Sequence, residues 1–212
     1  MPMHKVPVAV LVSGGGTNLQ ALIDFEAAGR LHHGRIALVI SNRPDAYALE
    51  RARKAGIPAM GFDGRALGAQ ALEDSMLSAL KEHNIGVVVL AGYLSILSAC
   101  FVQAYPNRIL NVHPALIPAF SGKGYYGLKV HEAALARGVK ITGATVHLVN
   151  EEADAGPILL QKAVPVQPDD TPETLQRRVM EQAEWVLLPR AVEEICERIL
   201  KGDYDVRSEH RV

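Results

Sequence analysis

Three short stretches of this chain carry residue types able to do chemistry. In Asn111-Val112-His113-Pro114 an amide and an imidazole stand two positions apart at the end of an apolar run. Strand side chains alternate with period 2, so Asn111 and His113 share a face, and Pro114 ends the strand beside them. Such a pair can hold a developing oxyanion and move a proton; a histidine buried for packing alone is the plainer alternative. The stretch from His147 to Pro157 contains Glu151, Glu152 and Asp154. It is either a solvated acidic turn between two strands or a loop from which Asp154 reaches back to His113. Ser13-Gly14-Gly15-Gly16-Thr17-Asn18 falls between an apolar run and a helical pattern. Its glycines let a ligand approach the backbone, and the free amides and dipole of a helix N-terminus favour an anion such as phosphate. The alternative is a tight strand-to-helix turn capped by Thr17. No lysine follows at the spacing of a Walker loop, and Leu19 stands where a dinucleotide fingerprint needs its third glycine. The loop suits phosphate and not NAD.

The elements that must position these residues are legible as hydrophobic runs. Val6 to Val12, Ile36 to Ile40, Gly86 to Ala91 and Ile109 to His113 are apolar on both faces, as strands buried in a parallel sheet are. Helical patterns lie between them. Thr17 to Ala28 should turn Leu19, Leu22, Ile23 and Ala27 inward, Ala46 to Ala55 stops at Gly56, and Ala69 to His83 follows. The alternation predicts an α/β domain whose first half resembles a mononucleotide-binding wind. In such a sheet ligands bind at the carboxyl edge of the strands, where Asn111 and His113 fall. Lys140 to Val149 and Pro157 to Val166 leave no room for a crossover helix between them, so they should extend the sheet antiparallel. Thr171-Pro172-Glu173-Thr174 opens a long helix reaching about Lys201, with Pro189 expected to kink or split it. No repeat or linker interrupts the pattern, and one domain over residues 1–212 is expected.

The 212 residues carry 22 Lys and Arg against 23 Asp and Glu, a net charge of −1, with 49% apolar and 21% charged. Those proportions exclude a disordered or collagen-like chain. Without a basic block, nucleic acid is not an expected partner. Val6 to Val12 is too short and too abruptly broken for a signal peptide or a membrane span, so a cytoplasmic protein away from membranes is expected. Cys100 and Cys196 are too few for a disulfide framework and read as core fillers. His32 and His33 are neighbours that diverge, and no metal site is expected. His131, at the start of a helix, reads as a packing or capping residue or as one that supports the site from behind. Phe120 to Gly127, with Tyr125 and Tyr126, is either a mobile lid or an ordinary surface loop.

Taken in order, Ser13-Gly-Gly-Gly-Thr-Asn-Leu-Gln20, Val88-Val-Leu-Ala-Gly-Tyr-Leu-Ser-Ile-Leu-Ser98, Asn111-Val-His-Pro-Ala-Leu-Ile-Pro118 and Ala153-Asp-Ala-Gly-Pro-Ile158 resemble one family. It is the phosphoribosylglycinamide formyltransferases, the folate-dependent glycinamide ribonucleotide transformylases of purine biosynthesis. The resemblance runs from Val6 to about Pro189. It implies a Rossmann-like formyltransferase fold that moves the formyl group of 10-formyltetrahydrofolate, a cosubstrate, to the amine of glycinamide ribonucleotide without a metal. On it, Asn111, His113 and Asp154 would be catalytic. Asp154 would raise the pKa of His113, so that an imidazolium and the Asn111 amide stabilise the formyl oxygen. Gly15, Gly16, Thr17 and Asn18 would hold the 5′-phosphate, and Glu184 would contact the ribonucleotide. Leu94, Ser95, Ile96, Leu97, Asn111, Asn150, Glu151, Glu152, Ala153 and Asp154 would bind the folate. A ribonucleotide half of about residues 6–105 and a folate half of about 106–200 follow, in a monomer or homodimer.

Two departures bear on charge. Relatives often carry arginine at the positions of Ser95 and Ala69, so pairing with anionic ligands would fall to other cations, with Lys123 and Arg65 as candidates. The Ile117–Pro118 bond is expected cis by analogy. Two related activities would need more chain: a formyltetrahydrofolate hydrolase an N-terminal regulatory domain, a methionyl-tRNA formyltransferase a C-terminal one. Neither is expected of a chain whose first strand starts at Val6 and whose tail carries Asp203, Asp205 and Glu209. A non-catalytic folate or nucleotide-binding module is the remaining alternative. It would require His113 to turn away from the pocket or Asp154 to lie far from it.

Overall fold

Val8, Val10 and Val12 on one side of the first apolar run, and Ala9 and Leu11 on the other, are all fully buried, as a strand covered on both faces requires. That run is β1 (Val6–Val12) of a seven-stranded sheet in the computed structural model, which describes residues 5–203. β2 (Gly34–Ser41), β3 (Ala59–Gly61), β4 (Val87–Leu90) and β5 (Ile109–His113) all run parallel to it. β6 (Ile141–Leu148) and β7 (Ile158–Pro165) complete the order β3-β2-β1-β4-β5-β6-β7 as the expected antiparallel extension. β3, at the sheet edge, has two half-buried residues and the exposed Gly61, and so no readable hydrophobic run.

Helices seal both faces. On one, α1 (Thr17–Ala27) and α8 (Trp185–Lys201) bring Leu19, Leu22, Leu188 and Val192 against Val10 and Val39. On the other, α4 (Ala69–Glu82) and α5 (Ala99–Ala104) bring Leu72, Met76, Leu80 and Phe101 against Leu11, Leu38 and Ile40. At about 1.5–3 kcal/mol for each large side chain taken out of water, these two layers fix the strand positions on which the site depends. α2 (Tyr47–Lys54), α3 (Gly64–Leu67), α6 (Leu128–Arg137) and α7 (Pro172–Val179) complete the chain.

Three expectations need correction. Ala27 is exposed, because α1 stops there and the turn that follows, Ala28 to Arg30, is itself exposed. Cys100 is also exposed: α5 has one buried side, and Phe101 and Val102 occupy it. Cys196 is buried as expected. The long C-terminal helix is divided, but not at Pro189, which lies inside α8. The break is a wide π-helical turn, Met180–Glu184, between α7 and α8. It lies just N-terminal to the residue 185 carbonyl, where the Pro189 ring crowds the helix and no N–H is available to bond it. Thr171 and Thr174 form the cap of α7, with Pro172 in its first turn. The Ile117–Pro118 peptide is cis. Of the acidic tail, Asp205 and Glu209 lie outside the described residues.

Candidate active site

Asn111 and His113, on one face of β5, both line a cavity of about 430 Å³ at the carboxyl end of that strand. Cavities of about 300–1,000 Å³ accept small organic ligands. The antiparallel register sets Asn111 opposite His147 on β6. Asn111 Nδ2 donates to His147 Nε2 at 3.1 Å, and His147 Nδ1 donates to the Leu148 carbonyl at 2.9 Å, a pattern that assigns the ring proton to Nδ1. Past β6 the chain folds back tightly at Gly156, where a Cβ would lie 1.8 Å from the Leu148 carbonyl oxygen. The turn carries Asp154 in the left-handed region at φ 56. Asp154 Oδ1 lies 3.4 Å from Asn111 Nδ2 and 3.5 Å from His147 Nε2, and Oδ2 lies 3.5 Å from His113 Nδ1.

The segment between β5 and α6 closes this ring with its backbone. Gly122 N–H donates to Asp154 Oδ2 at 2.8 Å, and His113 Nε2 donates to the Phe120 carbonyl at 2.8 Å. Phe120 itself sits at φ 51, a conformation that costs a bulky residue about 1–3 kcal/mol and is found mostly at functional sites.

The electrostatics of the corner differ from the sequence expectation. Burial pushes the His113 pKa below its ordinary value, and His147 adds to that. The Asp154 charge and the Phe120 bond pull the other way without offsetting it. Asp154 therefore acts with the expected sign, but desolvation of a nearly enclosed ring wins. The neutral ring donates to Phe120 and leaves Nδ1 as the basic nitrogen; the imidazolium would have an acceptor at each N–H. Burial works to raise Asp154, yet the neighbouring His147, the His113 charge and the Gly122 N–H together hold it below the usual carboxylate range.

The other end of the cavity reaches Asn18 in the first turn of α1, which the glycine loop precedes. Gly16, at φ 74, precedes α1 and no side chain caps that helix, so Thr17 is not a cap. The first amides of such a helix have no intrahelical acceptor. A Cβ on Gly16 would lie 2.6 Å from Ala48 Cβ, whereas one on Gly14 or Gly15 would meet nothing. Packing therefore demands the third glycine, and the first two leave the backbone open to a ligand. Arg51 ties the loop to α2, donating to the Gly15 carbonyl at 2.8 Å and to Gln20 at 2.9 Å. Asn18 Nδ2 donates to Glu184 Oε2 at 2.7 Å, and Asn18 Oδ1 is buried without a partner. Glu184, from the π-helical turn, is 6% exposed. Burial pushes its carboxyl up to about 7, with the Asn18 bond only partly compensating.

The structure brings most of the sequence candidates to one place. Leu94, Ser95, Ile96, Leu97, Asn150, Glu151, Glu152, Ala153 and Asp154 line the same cavity as Asn111, His113, Asn18 and Glu184. Gly15 and Gly16 do not line it, and Thr17 faces a separate hollow beside α1 with Arg30 and Trp185. Ser95 Oγ accepts from Asn42 Nδ2 at 3.0 Å. Of the two candidate cations, Lys123 lines the cavity and Arg65 does not. His131 is fully buried behind the same cavity with neither ring nitrogen partnered, so it does not cap, and burial, with His113 adding to it, takes its pKa down to about 4. His147 is the residue that sequence reasoning missed, together with Gln176 and Met180 on the cavity wall. Only the β5–β6 register could have revealed it. Among the described residues no group of three or more His, Cys, Asp or Glu is placed to hold a metal, and no helix is long and apolar enough to cross a membrane.

The formyl transferase family profile matches residues 6–192. A chloroplastic phosphoribosylglycinamide formyltransferase of Arabidopsis thaliana is 43% identical over 204 residues, 95% of this chain and 69% of that protein. The trifunctional purine biosynthetic protein adenosine-3 of Homo sapiens is 43% identical over 190 residues, 89% of this chain but 18% of that longer protein. Among solved structures, glycinamide ribonucleotide transformylase 1 of Symbiobacterium toebii matches with a TM-score of 0.85 at 44% identity, covering 92% of this chain and 89% of that one.

Proposed function

The chain belongs to the formyl transferase family, and we propose that it moves the formyl group of 10-formyltetrahydrofolate onto the amine of glycinamide ribonucleotide, a step of purine biosynthesis. The observation that carries this reading is one cavity with Asn111, His113 and Asp154 in contact at one end and Asn18 with Glu184 at the other. The 5′-phosphate lies on the amides of Gly15 to Asn18, and Glu184 meets the ribonucleotide beyond it. The folate takes the wall from Leu94 to Leu97 and from Asn150 to Asp154, where the exposed Leu94 and Ile96 offer apolar area to a flat ring system. The division into a ribonucleotide half, about 6–105, and a folate half, about 106–200, is therefore loose: Leu94 to Leu97 come from the first and Glu184 from the second. Two free cysteines, one of them exposed, suit a reducing cytoplasmic setting.

The chemistry follows from the geometry. The neutral amine attacks the formyl carbon, a C–N bond forms, and the carbonyl electron pair moves onto the formyl oxygen. Asn111 Nδ2 stabilises that oxyanion with the hydrogen now shared weakly with Asp154 at 3.4 Å. Its other hydrogen stays on His147, which orients the amide. The nitrogen that attacked loses its proton to Nδ1 of His113, and the imidazolium is then matched by Asp154 and the Phe120 carbonyl. Return of that proton to N10 of the folate lets the carbon–N10 bond break and tetrahydrofolate leave.

The test is tetrahydrofolate release from 10-formyltetrahydrofolate with and without glycinamide ribonucleotide. Release that requires the ribonucleotide is expected. Release independent of it would make the protein a hydrolase, and none in either case would make it a binding module.

A further inference from the structure

Both proposed substrates are anionic, yet the cavity wall is acidic. Glu151, Glu152, Asp154 and Glu184 line it, and Lys123 is the one lysine or arginine that does so among the described residues. The ribonucleotide phosphate has an anchor of its own in the first amides of α1. The carboxylates of a folate's glutamyl tail would be repelled by Glu151 and Glu152 on that side. A cation is needed there, and one is at hand.

Lys123 is exposed and flanked by Gly122 (φ 85) and Gly124 (φ 97). The preceding Gly122 N–H is bonded to Asp154, at the end of the folate-lining stretch Asn150 to Asp154. The backbone at Lys123 is therefore held beside that stretch, and Lys123 lines the same cavity. Its neighbour Lys129 is occupied, donating to Tyr126 Oη at 3.0 Å with its ammonium over the same ring. No side chain among the described residues pairs with Lys123.

We propose that Lys123 recognises a carboxylate of the folate cosubstrate's glutamyl tail. It is a specificity-determining residue and takes no part in the bond changes at the formyl group. The inference rests on the reading of this cavity as a formyl-folate site.

The test crosses a variant with a truncated cosubstrate. KM is measured for 10-formyltetrahydrofolate and for 10-formyltetrahydropteroate, which lacks the glutamate, and the binding of tetrahydrofolate and tetrahydropteroate is measured by calorimetry. Lys123→Met should raise KM and Kd for the glutamate-bearing folates about three- to tenfold, the range of one exposed to partly desolvated ion pair. It should leave the pteroates and the ribonucleotide KM unchanged. Lys123→Arg should restore the preference, and added salt should shrink it in the wild type. Equal effects on folate and pteroate, or a rise in ribonucleotide KM instead, overturn the proposal. An inactive wild-type chain that still shows the Lys123-dependent preference in binding removes formyl transfer and keeps the tail contact; an active chain without the preference does the reverse.

Discussion

The two ends of the cavity are built on different principles. At the α1 end the groups are an uncapped helix start and one buried acid, Glu184, joined to it by Asn18. At the β5 end four side chains from three separate stretches meet, and two backbone groups of a strained loop hold them in place. A helix start makes an anion site wherever it occurs. The Asn111–His113–His147–Asp154 corner exists only while the β5–β6 register and the fold-back at Gly156 hold. On the proposed reading, binding falls to a robust local feature, and chemistry to one that the whole sheet must sustain.

That contrast can be broken at several points. His113→Ala and Asp154→Ala should each lower kcat by about 100- to 1,000-fold, the cost of one preorganised catalytic group, with the ribonucleotide KM little changed. Near wild-type turnover in either would remove its role. With His113 as the proposed neutral base, kcat should fall as pH drops through its pKa, which lies below the ordinary 6.5. A pH profile of the wild type checks this.

Glu184→Gln probes the other end with a stability readout. The folded-state pKa of about 7 lies above the ordinary 4.5, so the folded chain keeps a proton that the unfolded chain has lost between those values. Stability is therefore given up as pH rises through that window, by roughly 3 kcal/mol once complete. The variant should be more stable than wild type in urea at pH 8, equal to it near pH 4.5, and weaker for the ribonucleotide. The same stabilisation at both pH values would refute the buried-acid account.

His147→Leu should lower kcat about tenfold through a misplaced Asn111 amide, the value of one buried hydrogen bond. Proportionate losses in kcat and in unfolding free energy would instead mark His147 as a packing residue. Thr17→Ala should do least. Among the described residues its hydroxyl hydrogen-bonds only to Met180 Sδ, at 3.9 Å, so the ribonucleotide KM should move by less than about twofold if the amides carry the phosphate.

Much of the site was legible because its parts are local. Asn111 and His113 share a face by strand periodicity alone, and the glycine loop announces itself between a strand and a helix. Other features were not legible because they depend on contacts distant in sequence. Nothing in residues 140–149 says that His147 faces Asn111, since a one-residue shift in register would turn it to the other face. The sign of the His113 shift was misjudged because charge pairing can be guessed from a sequence and burial cannot. Cys100 and Ala27 failed for the same reason: an apolar neighbourhood in sequence does not say where a short helix ends or which side it presents.

The sequence by itself determined the α/β alternation, the antiparallel extension, the glycine loop before α1 and the residue types proposed for the chemistry. These follow from hydrophobic period, glycine placement and side-chain chemistry, which act over a few residues. Only the tertiary structure decided that Asp154 meets both His113 and Asn111, that Glu184 sits buried against Asn18, and that Lys123 is the cavity's lone cation among the described residues. Those outcomes turn on strand register, on desolvation and on which loop folds back over which edge. Such quantities arise when the whole sheet closes and belong to no single segment.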